Sequence, residues 1–279
     1  MPTVLVTGAA RGIGRSIVTQ LADSGWDVVA GVRTEQDAEN IVALNPARIT
    51  SVLLDVTEAD HIAALDRSLD GRLDAVINNA GVVVPGPLET VSPQDLRRQF
   101  DVNVIGHLAV TQAVLPRLRD SRGRIVFISS LNGRISVPLM GAYCASKFAL
   151  EAVADALRME LAPWHIPVIV IQPTQTDTDM VRGADVMVEQ TAAAMRPEHR
   201  DLYARHIGGM RKFIRQFHPS AVPADNVAAA VVNALTVRRP RSRYIVGITH
   251  QFPRLQAIIL PNLPPAARDP LLRRLGSQP

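Results

Sequence analysis

Tyr143 and Lys147 stand four residues apart in GAYCASKFALE, residues 141 to 151, with the chain's single cysteine between them. In a helix that spacing puts both side chains on one face, one turn apart. A phenol ionises at a pH near ~10, about three units above neutrality, so on its own it gives up a proton poorly, and a nearby ammonium favours the phenolate. Spacing alone leaves two readings open: a proton-transfer pair, or two side chains that share a helix face. Composition bears on the choice. Of the 30 basic residues only Lys147 and Lys212 are lysine, and the rest are arginine. A lysine at 147 therefore calls for what a guanidinium does differently, a compact ammonium with three donors on a flexible stem. Cys144 has no His/Asp arrangement to activate it as a nucleophile and reads as a spectator.

A second chemical stretch lies near the start, VLVTGAARGIGRSI, where Gly8, Gly12 and Gly14 fall between a strand and a helix. Glycines there let the backbone approach a pyrophosphate at the positive helix N-terminus, where free N–H groups accept an anion. The spacing, T-G-x-x-x-G-x-G, departs from the common G-x-G-x-x-G. A carboxylate at the end of the second strand would bind the ribose 2′-hydroxyl of NAD, whereas arginine suits the 2′-phosphate of NADP. That strand ends GVRTEQ, with Val32 in the acidic position and Arg33 after it; Glu35 lies beyond the strand end. Arg11, just before Gly12, reaches for the same phosphate. Two guanidiniums favour NADP(H) through charge-assisted hydrogen bonds, with NAD(H) as the alternative.

The elements that must carry these residues alternate regularly. TVLVT, DVVAGV, ITSVLLDV, DAVINNAG, RIVFISS and PVIVIQP are short apolar, β-branched runs, the first three each followed by a helical pattern. Strands buried on both faces become continuously apolar, so this is the pattern of a parallel sheet between helices: a doubly wound, Rossmann-like, three-layer α/β/α fold. Long helices are predicted over residues 93 to about 118, with Ser92 as N-cap and proline first, and over about 142–162. No linker or repeat divides the 279 residues, and one domain is expected. Residues 179–218 hold four of the seven methionines (Met180, Met187, Met195, Met210), no strand pattern, and Phe213 and Phe217 near the end. Such adaptable side chains suit a lid over an apolar substrate, an excursion at about 179–222, or plain packing on the core or a partner subunit.

Several classes are disfavoured. The start lacks a signal-peptide n-region and no apolar run approaches ~20 residues, so a cytosolic chain without an integral membrane segment is expected. The seven histidines show no ligand spacing, and no metal is expected. RRPRSR, residues 238–243, lacks interleaved aromatics; a solvated helix end is preferred to a nucleic-acid site. The tail QFPRLQAIILPNLPPAARDPLLRRLG mixes apolar and basic residues, but its prolines interrupt any long amphipathic helix, and packing at a lid or subunit contact is expected over a membrane surface.

T-G-x-x-x-G-x-G at 7–14, N-N-A-G at 78–81, the asparagine of FDVNVIG, ISS at 128–130 and Y-x-x-x-K at 143–147 together resemble the short-chain dehydrogenase/reductase family over most of residues 3–180. ALTVRRPRSRYIVG is similar, less specifically, to members acting on steroids, retinoids and related lipophilic alcohols. The resemblance implies an enzyme in which Tyr143 is the general acid/base, Ser130 orients the substrate oxygen, Lys147 holds the nicotinamide ribose and acts on the phenol, and Asn103 supports a water linked to Lys147. It implies cofactor contacts at Gly8, Arg11, Gly12, Ile13, Gly14, Arg33, Asp55 and Val56 beside adenine, Asn79, Tyr143, Lys147, Thr176 and Thr178. The implied reaction is hydride transfer between NADP(H) and a small apolar carbonyl or alcohol, in a homodimer or homotetramer. A dinucleotide-binding sensor without turnover is the rival of a different class, and a sensor has no need of an acid/base pair. One departure stands out: QPTQTDTDM places Thr174 where the family carries glycine and Thr176 where it carries an aliphatic residue. Threonine reaches positive φ only with strain, so this turn is expected to use ordinary β or αR backbone.

Overall fold

A computed structural model describes residues 1–247 and 258–275. Seven strands form one sheet: β1 (Thr3–Thr7), β2 (Asp27–Val32), β3 (Ile49–Leu53), β4 (Ala75–Asn78), β5 (Arg124–Ile128), β6 (Val168–Pro173) and, counting in chain order past a separate short pair, β9 (Arg243–Val246). Their order is β3-β2-β1-β4-β5-β6-β9, every neighbouring pair parallel. From the edge at β3 the chain crosses back to β4, so the order reverses between β1 and β4, and such a switch point opens a crevice at the strands' carboxyl ends. The doubly wound fold expected from the alternation is thus the one observed.

Burial explains the sequence pattern. Central β4 and β6 are buried throughout, and β5 from its second residue on, whereas edge strand β3 exposes three of its five residues. One face is covered by α1 (Gly12–Asp23), α2 (Glu35–Val42) and α11 (Ala224–Thr236), with Ile17, Leu21, Val231 and Leu235 in a common core. The other is covered by α3 (Ala59–Ser68), α5 (His107–Ser121) and α6 (Gly141–Glu160), through Leu65, Val114, Leu118 and Leu150. Each such fully buried aliphatic side chain contributes roughly 1.5–3 kcal/mol.

Four differences from the sequence reading have physical causes. The helix predicted over 93–118 is not uniform: α4 (Pro93–Phe100), capped by Ser92 with Pro93 first, runs into a π-helical segment, Asp101–Gly106, before α5. Gly106 permits this, because a Cβ there would lie 2.7 Å from Val56. The seventh strand begins at Arg243, the last residue of the basic run, so that residue is a paired strand end and not part of a solvated helix end. A two-residue parallel pair, β7 (Thr176–Asp177) with β8 (Val222–Pro223), joins the two ends of the 179–222 excursion. The tail packs at the turn after β5: Leu260 and Leu272, the latter on α12 (Pro265–Leu275), cluster with Leu131 and Ile135. Tail residues 251–257 and 276 lie outside the described residues.

The excursion holds α7 (Asp179–Arg182), α8 (Ala184–Ala194), α9 (Pro197–Leu202) and α10 (Ala204–Phe217), on which Lys212 is exposed. Val188 and Met210 are buried with Leu139, alongside Met140, Tyr203, Ile207, Phe213 and Ile214. Met180 is exposed and Met187 and Met195 are half-buried, so of the four methionines only Met210 is core. The side chain of Phe217 lies outside the described residues. Thr174 keeps an ordinary φ, as expected, and the freedom has moved to Gly247, at φ +90, whose absent Cβ would meet the Thr174 hydroxyl at 2.3 Å. That hydroxyl donates to the Gly247 carbonyl.

Candidate active site

The glycine loop leaves β1 and enters α1 under tight constraint. Gly8 and Gly12 have positive φ, +62 and +53. A Cβ on Gly8 would lie 2.9 Å from Ala80 Cα, and one on Gly14 2.2 Å from the Gly8 carbonyl oxygen. Backbone therefore closes on backbone, and the first turn of α1 keeps N–H groups free for an anion. Asn79 holds this shape: its Nδ2 donates to the carbonyls of Thr7 (3.0 Å) and Gly8 (3.1 Å), and its N–H donates to Thr7 Oγ1 at 2.9 Å. Its amide is spent on the loop, so it shapes the cradle from β4. Ile13 packs against the core below the loop.

Arg11, the residue before α1, and Arg33, just past β2, are both exposed. Asp55 follows β3; burial pushes its carboxyl up, but two bonds from Thr57 and the charges of Arg33 and His61 more than offset this and leave it below the usual carboxylate value. Val56 is buried against the π-helical segment, so its side chain belongs to the core and only its backbone can serve a base. Thr178, at the start of α7, approaches Gly12: a Cβ on that glycine would lie 3.3 Å from Thr178 Cγ2. Thr176 is buried with an unpartnered hydroxyl.

Ser130 follows β5 in extended conformation, its Oγ accepting from Asn132 N at 3.1 Å. The same hydroxyl lies near enough to the Tyr143 phenol to favour its ionised form. Ser129, one residue earlier, points to the other side, where a Cβ on Gly133 would meet its Oγ at 2.9 Å and Glu151 Cγ at 3.0 Å. Strand alternation thus separates two serines that composition cannot. Gly141 opens α6 against Leu88, which would lie 2.6 Å from a Cβ there, and this fixes where the helix carrying Tyr143 begins.

Lys147 is 4% exposed; its Nζ donates to the Ile128 carbonyl at 2.9 Å and sits 5.8 Å from the centre of the Tyr143 ring. Burial pushes the ammonium down to about 8, against the upward pull of Glu151. In the chain by itself, burial dominates the phenol's pKa. Burial pushes Tyr143 up to about 12, only partly countered by the Ser130 hydroxyl, and the ammonium is directed to Ile128 over the ring face. Asn103 is buried on the π-helical segment, with its side-chain amide fully engaged. Its Oδ1 accepts from Val82 N (2.9 Å), while Nδ2 donates to Val82 O (3.0 Å) and Ser146 Oγ (3.1 Å), so the amide ties the π-helical segment to α6.

Three groups escaped the sequence reading. His107 is fully buried and stacks on Phe127. Its Nε2 lies 2.6 Å from the Ala80 carbonyl, which can only accept, so Nε2 carries the proton and Nδ1, without a partner, is bare. Burial, reinforced by the charge of Lys147, pushes this imidazole down to about 3. Glu151 and Arg243 form a paired cluster on the far side of Lys147. Glu151 ends the stretch that carries Tyr143 and Lys147, at the same four-residue spacing, which was the available signal.

Among the described residues no group of three or more His, Cys, Asp or Glu could hold a metal ion, and no helix is long and apolar enough to cross a membrane. The family model described as short chain dehydrogenase matches residues 2–188. Retinol dehydrogenase 5 of Mus musculus is 31% identical over 92% of this chain and 84% of its own length. The 3-amino-tetrahydro-pyrrolizinone reductase of Xenorhabdus hominickii is 34% identical over 88% of this chain and 86% of its own. A short chain dehydrogenase from Burkholderia cenocepacia, solved in complex with NADP, superposes with a TM-score of 0.72 at 26% identity, covering 100% of this chain and 98% of that one.

Proposed function

The chain belongs to the short chain dehydrogenase family, and from that premise we propose that it is an NADP(H)-dependent oxidoreductase interconverting an apolar ketone or aldehyde and its alcohol. The observation that carries this reading is the meeting of Ser130, Tyr143 and Lys147 at the carboxyl end of β5, beside the glycine cradle. The cradle fits a dinucleotide because Gly8 and Gly14 leave no room for side chains and the start of α1 offers N–H donors to a pyrophosphate. Arg11 and Arg33, exposed beside it, hold a 2′-phosphate. The neighbour from Burkholderia cenocepacia binds NADP, which supports the same choice here.

When bound, the reduced nicotinamide supplies hydride. Ser130 donates a hydrogen bond to the substrate oxygen and holds it beside Tyr143. With its pKa near 12 the phenol is protonated at neutral pH, the form that gives a proton to the oxygen of a carbonyl being reduced. Lys147, charged below about 8, stabilises the phenolate left behind and offers donors to ribose hydroxyls. The helices of 179–222 act as a lid that packs on Leu139, with Val188, Met210 and Phe213 as its apolar lining. Glu89 ties it down, accepting from Tyr203 Oη at 3.0 Å with His199 at 3.4 Å. This lining and the retinol dehydrogenase relative support a lipophilic substrate.

The test is NADPH consumption across steroid, retinoid, fatty and small aromatic ketones, repeated with Tyr143→Phe on the best one. Loss of the phenolic proton is expected to cut kcat by roughly a hundred- to ten-thousand-fold while NADPH still binds. Undiminished turnover would remove Tyr143 from the chemistry. NADPH binding without turnover of any ketone would favour the sensor.

A further inference from the structure

The buried face of α6 carries two opposite charges one turn apart, Lys147 at 4% and Glu151 at 7% exposure. Burying either alone is costly, and such groups are found paired and hydrogen-bonded. Both oxygens of Glu151 are engaged. Oε1 accepts from Gln172 Nε2 at 2.9 Å, and Oε2 accepts from Arg243 Nε, also at 2.9 Å. Gln172 is fully buried on β6, and Arg243 opens β9. Arg243 in turn donates through Nη2 to Asp155 Oδ2 at 2.7 Å, and Asp155 takes a further bond from Arg158. The carboxylate is thereby tethered to two strands while Lys147 reaches to Ile128 on a third.

Charged and titratable groups act on Lys147 from each side. Tyr143 lies one turn before it on α6, and Glu151 one turn after. His107, from α5, is near enough to feel its charge. Of these, Glu151 supplies the negative charge. Arg243 draws on that same carboxylate, so the field at Lys147 is a balance between its helix neighbour and the last strand of the sheet.

We propose that Glu151 is the positioning residue for Lys147: tethered between Gln172 and Arg243, its carboxylate holds the buried ammonium in the charged form that faces Tyr143, and Arg243 sets how strongly it does so. The functional consequence rests on the assignment of Lys147 to the reaction; the electrostatic hold does not. The two partners make opposite predictions. Glu151→Gln keeps the bond volume but removes the counter-charge, so Lys147 deprotonates more easily. Arg243→Met leaves Glu151 unopposed, with Asp155 still paired to Arg158, so Lys147 deprotonates less easily.

The scarcity of lysine makes this directly measurable. The full chain, grown with lysine labelled by carbon-13 at the ε position, gives two side-chain signals, which Lys147→Arg assigns. The Lys147 signal is expected to titrate at lower pH in Glu151→Gln and at higher pH in Arg243→Met, each by about one unit, a tenfold change in its ionisation constant. Far-UV circular dichroism and a cooperative urea transition certify the fold of each variant, and the exposed Lys212 signal serves as the internal reference. An unshifted Lys147 in Glu151→Gln, or shifts of the same sign in both variants, would overturn the proposal. The alkaline limb of NADPH-driven ketone reduction should move with the titration. A titration that shifts while the limb stays fixed upholds Glu151's hold on Lys147 and sinks the catalytic assignment of Lys147.

Discussion

Acid should weaken this fold through one side chain, His107. Its imidazole is buried, donates to Ala80 O, and is pushed from 6.5 down to about 3, so it is neutral in the folded chain. The unfolded chain takes up this proton as pH falls through about 6.5, whereas the folded chain does so only near about 3. The stability tied to a neutral His107 is therefore complete above that window and lost progressively down through it. Linkage between the two values gives a loss of about 2 kcal/mol between about pH 7.5 and about pH 5. With a urea slope of about 2–3 kcal/mol per molar, the unfolding midpoint should fall by about 1 M from this residue. His107→Gln is the matched control, because its amide can still donate to Ala80 O but does not titrate. The measurement is the urea midpoint of both proteins at the two pH values, so that losses from carboxylates and the other histidines cancel in the difference. Equal losses in parent and variant would show that His107 is not held neutral, and the reasoning from its burial would fail.

Three further outcomes follow. Arg33→Ala should weaken NADPH binding by about tenfold or more, on the scale of one charge-assisted hydrogen bond, and leave NADH nearly unchanged; calorimetry showing equal losses would undo the phosphate assignment. Gly14→Ala brings a methyl to 2.2 Å from the Gly8 oxygen and 2.6 Å from Asn79 Nδ2. The loop must open, costing about 1–3 kcal/mol of stability and most of the dinucleotide affinity; normal binding by the variant would mean the loop is not closed as described. Glu89→Ala frees both Tyr203 and His199, and since an exposed pair is worth about 1 kcal/mol at most, KM for an apolar ketone should rise by less than about fivefold with NADPH affinity constant. An unaltered KM would deny the excursion a role as a lid.

Six of the seven strands were legible: the central ones because burial on both faces spells continuous apolar runs, and the half-exposed edge strand β3 through its β-branched residues. RYIV was not, since all four residues are only half-buried and the strand opens on an arginine that looks solvated until its partners are known. Those partners, Glu151 and Asp155, lie 92 and 88 residues away, and no local pattern reports a pairing at that distance. The same limit applies to Asn79 and Asn103: motifs locate them, but only tertiary structure shows their amides spent on the glycine loop and on Val82. A π-helical segment is invisible to a search for 3.6-residue periodicity, and Phe100 through His107 read as one smooth helix. The phenol's burial was hidden for a related reason. Four-residue spacing gives the separation of Tyr143 and Lys147, but not the depth at which both are buried nor the carbonyl that claims the ammonium.

The placement of the two lysines also makes the chain a convenient object for chemical conjugation. Lys147 is sealed in the interior, while Lys212 stands exposed on α10, the last α-helix of the 179–222 excursion. Of the two lysines, amine-directed reagents have one to find on this surface. A dye or spin label attached at Lys212 needs no engineered cysteine and no removal of competing lysines, and it lands on the part of the molecule whose displacement during turnover would be worth watching.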